Sequence, residues 1–147
     1  MANVRELLKN KGHDLWHVTE EARLIEAIEL MAEKDIGVVV VLDGDCLVGI
    51  LSERDCVRRA MLQGKSPEEL QVCEVMTPTV IFARPEFTLR ACMAIMTENH
   101  IRHLPVLEDG APIGLITLGD VVKSIIHTQG ETIQRLEDIV AGTDQEP

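Results

Sequence analysis

The sequence predicts a mixed α/β (α+β) fold made of two copies of one unit. When residues 18–58 are aligned with residues 83–123, ten of the 41 positions are identical, among them Asp55 with Asp120. In both copies an apolar pattern of helical period precedes two short apolar runs that a turn separates. A duplicated unit of this size forms two half-cores that need each other, so we expect a pseudo-twofold cleft between them.

The composition limits the partners. The 147 residues include one tryptophan, two phenylalanines and no tyrosine, so the core is aliphatic and offers few faces for stacking bases. The formal charge of −11 disfavours nucleic acid and anionic membranes as partners, whereas a local basic cluster can still bind a small anion. The cysteines show no metal-type spacing, and no export signal or membrane-length apolar run is present. We therefore expect reduced thiols and a cytoplasmic location.

Local patterns give the elements of the first unit in order. Apolar residues at helical spacing predict a helix over residues 24–31. A β-branched run over residues 36–42 predicts a strand that is covered on both faces. A turn signal at residues 43–45 joins it to a second strand over residues 46–51, so the two form a hairpin. A helix is expected to begin after Ser52.

The second unit repeats this order. A helix is expected around residues 89–96, strands over 101–107 and 112–116, and a further helix after Thr117. Pro105 cannot donate a backbone hydrogen bond, so its place inside a strand predicts an edge position or a local bulge.

The segments outside the repeats carry weaker signals. A short amphipathic helix is expected at the start of the chain, in residues 1–8 and ended by Lys11 and Gly12, and a linker is expected at residues 63–78. The last helix of the second unit is expected to end near His127, because residues 128–130 (Thr-Gln-Gly) are typical of a break.

A separate helix is expected over residues 131–140. Its apolar face should pack on the rest of the chain or on a second chain, and it consists of Ile133, Leu136, Ile139 and Val140. The predicted division is therefore an N-terminal helix, first repeat and linker in residues 1–73, a second repeat with a C-terminal helix in residues 74–141, and a disordered tail in residues 142–147.

A hydroxyl residue stands three positions before an aspartate in both units, as Ser52 with Asp55 and Thr117 with Asp120. In one copy alone this pattern is most simply a helix capping box. Its recurrence at equivalent places favours a ligand role, because a free helix N-terminus suits an anion and a carboxylate can accept both hydroxyls of a ribose. Together with the apolar strands, the pattern describes a pocket for a nucleoside phosphate.

The chain resembles, from Val4 to Val140, a tandem pair of cystathionine β-synthase (CBS) domains, the arrangement called a Bateman module. Residues 49–55 (Gly-Ile-Leu-Ser-Glu-Arg-Asp) are similar to the Ser-Glu-Arg-Asp segment of stand-alone bacterial CBS-pair proteins. Residues 101–106 (Ile-Arg-His-Leu-Pro-Val) and 114–123, which include Thr117 and Asp120, carry the resemblance in the second unit.

The resemblance implies two β-α-β-β-α repeats that form a pseudo-twofold module and dimerise into a flat disc. It also implies an adenosyl ligand (AMP, ADP, ATP, an NAD-type compound or S-adenosylmethionine) in the cleft between the repeats. Asp55 and Asp120 correspond to the ribose aspartates of the family, and Ser52 and Thr117 to their hydroxyl partners. The positions that would line the adenine slots are Val18, Thr19, Val38, Val39, Val80, Ile81, His103, Leu104 and Pro105, and those for phosphate are Arg54, Arg58, Arg102 and His103.

The two copies differ in charge. Gly119 replaces Arg54, whereas only the second copy carries Arg102 and His103 at its first strand. We therefore expect Asp120 to be the ribose acid of the stronger site, with Arg102 and His103 nearby.

Three functions remain open from the sequence. The favoured one is a sensor that binds an adenosyl nucleotide and modulates a separate, unknown target protein. The second is a ligand-independent interaction scaffold, and the third is a small nucleotide hydrolase. Enzyme activity is disfavoured because equivalent acids in equivalent pockets do not provide the unlike environments of an acid and a base. No metal is expected, because the histidine pairs His13/His17 and His100/His103 lack further ligands.

Overall fold

The computed structural model describes residues 2–140, except for the side chains of residues 131–133, 135, 138 and 140. The elements follow the duplicated order that the sequence predicts, and the mixed α/β class is confirmed. In chain order they are α1 (Val4–Lys11), β1 (His17–Val18), α2 (Leu24–Lys34), β2 (Val38–Asp43), β3 (Cys46–Ser52), α3 (Glu53–Arg59), α4 (Leu89–Asn99), β4 (His103–Glu108), β5 (Ala111–Thr117) and α5 (Leu118–Val140). Short 3-10 helices at Met61–Gln63 and Val72–Glu74 lie in the segment between the repeats.

The first repeat contains a three-stranded sheet in the order β1-β2-β3. Strand β2 pairs parallel with β1 and antiparallel with β3. The four valines of residues 38–41 are all buried, as expected for a strand that is covered on both faces. Strands β4 and β5 form the matching antiparallel pair of the second repeat.

Pro105 explains why the second repeat lacks a full counterpart of β1. The residue equivalent to Pro105 is Val40, whose backbone N–H donates to Trp16 O at 3.2 Å. Proline has no N–H, so this bond cannot form in β4. Only a single parallel bridge remains there, between Ala83 and Val106. Pro105 thus faces the weakly paired side of β4, in agreement with the edge position expected for it.

Each repeat packs against the segment that precedes the other one. Leu70, Val72, Val75 and Met76 of the linker join the core of the first repeat. Helix α1 stands before the first repeat in the chain, yet its buried residues Val4, Leu7 and Leu8 belong to the core of the second. Consequently both repeats are tied together at the start of the chain and in the linker.

Two glycines permit this crossed packing. A Cβ atom on Gly49 would lie 2.5 Å from Met76 Sδ and 3.2 Å from Thr77 O. The equivalent Gly114 is covered by Leu8, whose Cδ2 atom would lie 2.9 Å from such a Cβ. Glycine at these two strand positions therefore allows the linker and α1 to approach the sheets closely.

Helix α5 runs without a break from Leu118 to Val140, so the interruption expected at residues 128–130 is wrong. Thr128 keeps a helical partner, because its Oγ1 donates to Ser124 O at 3.1 Å. Gly130 weakens a helix by about 1 kcal/mol relative to alanine but retains its N–H, unlike proline. Such a penalty does not end a helix of 23 residues. The tail expected at residues 142–147 lies outside the described residues, as do the side chains of Ile133 and Val140.

Candidate functional site

A cavity of about 540 Å³ lies between the two repeats. Its volume is within the range of small-molecule sites. The first repeat contributes the N-terminal ends of β2 and α3, and the second contributes the chain that leads into β4. The lining residues are Gly37, Val38, Ile50, Ser52, Arg54, Asp55, Thr77, Thr79, Val80, Ile81, His100, Ile101, Arg102 and His103.

Asp55 is held at this cavity by the start of α3. The Asp55 backbone N–H donates to Ser52 Oγ at 3.1 Å, and the Ser52 N–H donates to Asp55 Oδ2 at 3.0 Å. These reciprocal bonds form a capping box and fix the carboxylate at the helix N-terminus. The other oxygen, Oδ1, lies 4.0 Å from Arg59 Nε, and the side chain is 18% exposed. One carboxylate oxygen therefore caps the helix, while the other has no shorter contact among the described ion pairs.

Strand alternation decides which valines of β2 face the cavity. Successive side chains of a strand point to opposite faces. Val38 lines the cavity, whereas Val39 lies in the core of the first repeat.

The arginines of the two repeats have different surroundings. Arg54 and Arg102 are exposed and line the cavity from the first and the second repeat. Arg58 is exposed and does not line it. Its neighbour Arg59 donates through Nη1 to Val75 O and Met76 O, both at 3.1 Å, and so ties α3 to the linker. Two guanidinium groups thus face the cavity, and a third supports its wall.

Two histidines border the cavity near the start of β4. His100 ends α4 in a left-handed conformation with φ of 54°, and Asp35 does the same at the equivalent end of α2. Burial lowers the pKa of the His103 imidazole, and the Lys11 and Arg102 charges lower it further, against the opposing effect of Asp120. His103 is therefore neutral at pH 7 and can both donate and accept a hydrogen bond.

Asp120 repeats the capping geometry of Asp55 but has an additional partner. The Asp120 N–H donates to Thr117 Oγ1 and the Thr117 N–H donates to Asp120 Oδ2, both at 3.0 Å. The ammonium group of Lys11 also donates to Asp120 Oδ2, at 2.5 Å. Burial alone would raise the pKa of Asp120, but the bonds from Lys11 and Thr117 and the Lys11 charge lower it below its usual value. Asp120 is consequently the ionised partner of Lys11.

The sequence predicts part of this cavity lining. The predicted residues that line it are Ser52, Asp55, Arg54, Arg102, His103, Val38, Val80 and Ile81. Those that lie elsewhere are Thr117, Asp120, Arg58, Pro105, Leu104, Val18, Thr19 and Val39. Leu104 is in the core of the second repeat, for the same reason of strand alternation.

Sequence reasoning missed several residues of the lining. Thr77 and Thr79 flank Pro78, and Thr77 pairs with Ile50 by backbone hydrogen bonds in both directions, Ile50 N to Thr77 O at 3.0 Å and Thr77 N to Ile50 O at 2.8 Å. This pairing joins distant parts of the chain, so no local pattern announces it. Lys11, which contacts Asp120 and does not line the cavity, was missed for the same reason. The signal that could have found Thr77 is the segment Val75-Met76-Thr77-Pro78, which resembles the usual entry to the second repeat of a CBS pair.

Other reactive groups are inert or isolated. Burial raises the pKa of the Cys92 thiol to about 11, and burial together with Asp55 and Glu53 does the same for Cys56. Both thiols are therefore protonated at pH 7. Within residues 2–140, apart from the side chains excluded above, no three His, Cys, Asp or Glu side chains cluster as metal ligands do. No helix in that part of the chain is both long enough and apolar enough to cross a membrane.

The protein is similar to known proteins along most of its length. A family model described as the CBS domain matches residues 4–62 and again residues 72–127. The mitochondrial CBS domain-containing protein CBSX3 of Arabidopsis thaliana is 33% identical, over 95% of this chain and 72% of its own. A solved protein with CBS domains from Burkholderia ambifaria MC40-6 is 44% identical with a TM-score of 0.83, over 87% of this chain and 96% of that one.

A second solved structure gives the same result. The CBS-domain containing protein ATU1752 from Agrobacterium tumefaciens is 36% identical with a TM-score of 0.79, over 84% of this chain and 98% of that one. These structures consist of little beyond the region that matches. Because the family model covers both repeats, the protein belongs to the CBS domain family, as a tandem CBS pair.

Proposed function

We propose that this CBS pair is a regulatory module that binds an adenosyl nucleotide in the cavity beside Asp55 and modulates a separate protein. The observation that supports this most is the cavity itself, which combines a fixed carboxylate of the first repeat with Arg102 and His103 of the second. A nucleotide needs an acceptor for its ribose, donors for its phosphate and an apolar slot for its base. Side chains of all three kinds line this one cavity.

Asp55 is the proposed ribose acid. Its Oδ2 accepts one bond from the helix cap, so Oδ1 and the second acceptor position of Oδ2 would accept from the two ribose hydroxyls. A charged acceptor forms stronger hydrogen bonds than a neutral one. The base would lie along Val38, Val80 and Ile81. Asp55 is therefore the proposed ribose acid of the stronger site, whereas the sequence alone suggested Asp120 for that role.

The phosphate is assigned to the two cavity arginines. The N-terminus of α3 does not suit an anion, because the Glu53 N–H donates to Gly37 O, the Asp55 N–H donates to Ser52 Oγ, and both acidic side chains lie in its first turn. Arg54 and Arg102 approach from opposite repeats, and guanidinium groups suit bidentate phosphate contacts. This local cationic pair would offset the repulsion that a chain with a net charge of −11 exerts on an anionic ligand.

Regulation would follow from the position of the cavity between the repeats. A ligand that contacts both repeats favours one relative arrangement of them, and it shifts the population only by its preference for that arrangement. The exposed free thiols of Cys46 and Cys73 suit a reducing compartment, so the cytoplasm is the proposed location.

Calorimetric titration of AMP, ADP, ATP, NADH and S-adenosylmethionine tests the proposal. We expect saturable binding of at least one compound in the micromolar range, and weaker binding of 2′-deoxyadenosine monophosphate than of AMP. The absence of binding across the panel would instead favour a ligand-independent scaffold. Release of product during long incubation with ATP would favour a hydrolase.

We also propose that the module is a homodimer in which α5 contacts a second copy. Ile126, Leu136 and Ile139 of this helix are 62%, 56% and 64% exposed. The sequence predicts that the apolar face of residues 131–140 packs on the rest of the chain or on a second chain. Because Leu136 and Ile139 are exposed in a single chain, we propose that a second chain covers this face. A helix with an uncovered apolar stripe is typical of an interface.

Sedimentation equilibrium tests the dimer. The double substitution Leu136→Glu with Ile139→Glu places charges on the proposed interface, so the dimer should dissociate to monomers. Glu137→Gln alters the same exposed helical turn and should leave the dimer intact. A monomeric wild-type protein, or an unchanged dimer in the double variant, would contradict the proposal.

A further inference from the structure

Lys11 occupies an acceptor position on one carboxylate oxygen of the second aspartate. Its Nζ donates to Asp120 Oδ2 at 2.5 Å and to Leu115 O at 2.7 Å. Both side chains of the ion pair are only about one third exposed, at 32% for Lys11 and 29% for Asp120. The ammonium group therefore neutralises the carboxylate and bonds to the strand that leads into it.

The local sequence fixes Lys11 in this position. Lys11 is the last residue of α1, where a cation interacts favourably with the helix dipole. Gly12 then turns the chain with φ of 105°, and its N–H closes the helix on Leu8 O. Leu7 and Leu8 anchor the same helical turn in the core of the second repeat. The lysine is thus presented by a rigid element and not by a loose terminus.

The free edge of β5 adds a second anchor. Alternate carbonyl groups of a strand point to the same side, and the carbonyls of Leu115 and Ile113 accept from the last residue of α1 and from the segment that follows it. His13 Nδ1 lies 3.0 Å from Ile113 O, two residues before the carbonyl that Lys11 contacts. The edge of the second sheet and its aspartate are consequently occupied by one stretch of the chain.

The first repeat has no lysine at the equivalent position, and Arg59 Nε lies 4.0 Å from Asp55 Oδ1, without a hydrogen bond between them. With an offset of 65 residues, Lys11 corresponds to Met76. Met76 is buried in the core of the first repeat, and a cation is replaced there by an apolar side chain. The Ile50 carbonyl, which corresponds to that of Leu115, accepts from the Thr77 backbone N–H at 2.8 Å. The two aspartates therefore share their capping geometry but differ in their cationic partner.

We propose that Lys11 is an internal substitute for ligand at Asp120, so that the chain binds one adenosyl nucleotide, beside Asp55, although it carries two ribose-type aspartates. This inference rests on the proposed function. The Thr117 N–H and the Lys11 ammonium group together fill Asp120 Oδ2, so a ribose diol could use both oxygens of this carboxylate only by displacing the ammonium group. Displacement would lose a charge-assisted bond and leave Lys11 with its bond to the Leu115 carbonyl alone among these contacts. The difference between the repeats thus sets how many ligands the molecule binds.

The test is the number of ligands bound per chain by wild-type protein and by Lys11→Met, measured by calorimetry and native mass spectrometry with each of the five compounds named above. Methionine keeps the apolar stem and removes the charge. We expect one ligand per chain for the wild type and two for Lys11→Met. The double variant Lys11→Met with Asp120→Asn should return to one, because the second site again lacks its acid.

Lys9→Met is the matched control, since it removes an exposed lysine of the same helix and should bind one ligand. Thermal unfolding of each variant checks that α1 remains docked. The inference would be overturned if the wild type bound two ligands, if Lys11→Met bound only one, or if Lys11→Met lost binding. In each of these cases the wild type still binds a nucleotide, so the proposed function would stand. If no compound binds either protein, the proposed function fails and this inference fails with it.

Discussion

Asp55→Asn should weaken adenosyl-nucleotide binding by about 10- to 100-fold. Hydrogen bonds to a charged group contribute about 1.5–3 kcal/mol, and each 1.4 kcal/mol corresponds to a tenfold change in affinity. Asparagine retains the shape and an acceptor oxygen, so Asn at position 55 can still accept from the Ser52 N–H at the helix cap. The loss should therefore appear in the dissociation constant measured by calorimetry, with little change in the unfolding temperature.

Asp120→Asn is the matched control for this substitution. Asp120 has the same capping bonds but does not line the cavity. Its replacement should leave the affinity for the nucleotide within about a factor of three, which is less than 1 kcal/mol. The reverse order of effects, with binding lost in Asp120→Asn and kept in Asp55→Asn, would contradict the assignment of the ribose acid.

Gly49→Ala should lower the free energy of unfolding by about 1–3 kcal/mol, the usual cost of overpacking a core. The new methyl group would lie 2.5 Å from Met76 Sδ and 3.2 Å from the backbone oxygen of Thr77. Met76 is flexible but buried, and Thr77 is paired with Ile50. Accommodating the methyl group therefore moves the linker away from the first sheet. Urea denaturation monitored by circular dichroism measures the change.

Gly37→Ala provides the comparison. A Cβ atom on Gly37 would meet nothing closer than Glu53 Oε1, at 3.9 Å. The free energy of unfolding of the Gly37→Ala variant should therefore change little, or rise because alanine reduces the entropy of the unfolded chain. Equal destabilisation by the two substitutions would show that loss of glycine, and not the contact with the linker, causes the effect of Gly49→Ala.

Local patterns were sufficient for the elements and their duplication. The β-branched run of residues 38–41 is buried on both faces, and both hydroxyl–aspartate pairs form the capping boxes that their spacing predicts. These features depend on residues that are close in the chain, where period and spacing carry the information. The identity of most of the cavity lining followed from the family resemblance.

Contacts between distant residues were not predictable in this way. Helix α1 precedes the first repeat but packs on the second, and only that crossing brings Lys11 to Asp120. Gly12 marks the end of α1 after Lys11, but no local pattern indicates that the Lys11 side chain reaches Asp120. Val39 was assigned to the site together with Val38, although alternation along a strand sends the two side chains to opposite faces. The prediction of a break in α5 overestimated how strongly Gly130 destabilises the middle of a long helix.

The most direct test of the central claim is a crystal structure of the protein with a bound adenosyl compound from the panel. We expect the ribose hydroxyls within hydrogen-bonding distance of Asp55, with the base against Val38 and Val80 and with Lys11 still on Asp120. A ribose bound to Asp120, with Lys11 displaced and the cavity beside Asp55 empty, would contradict the claim.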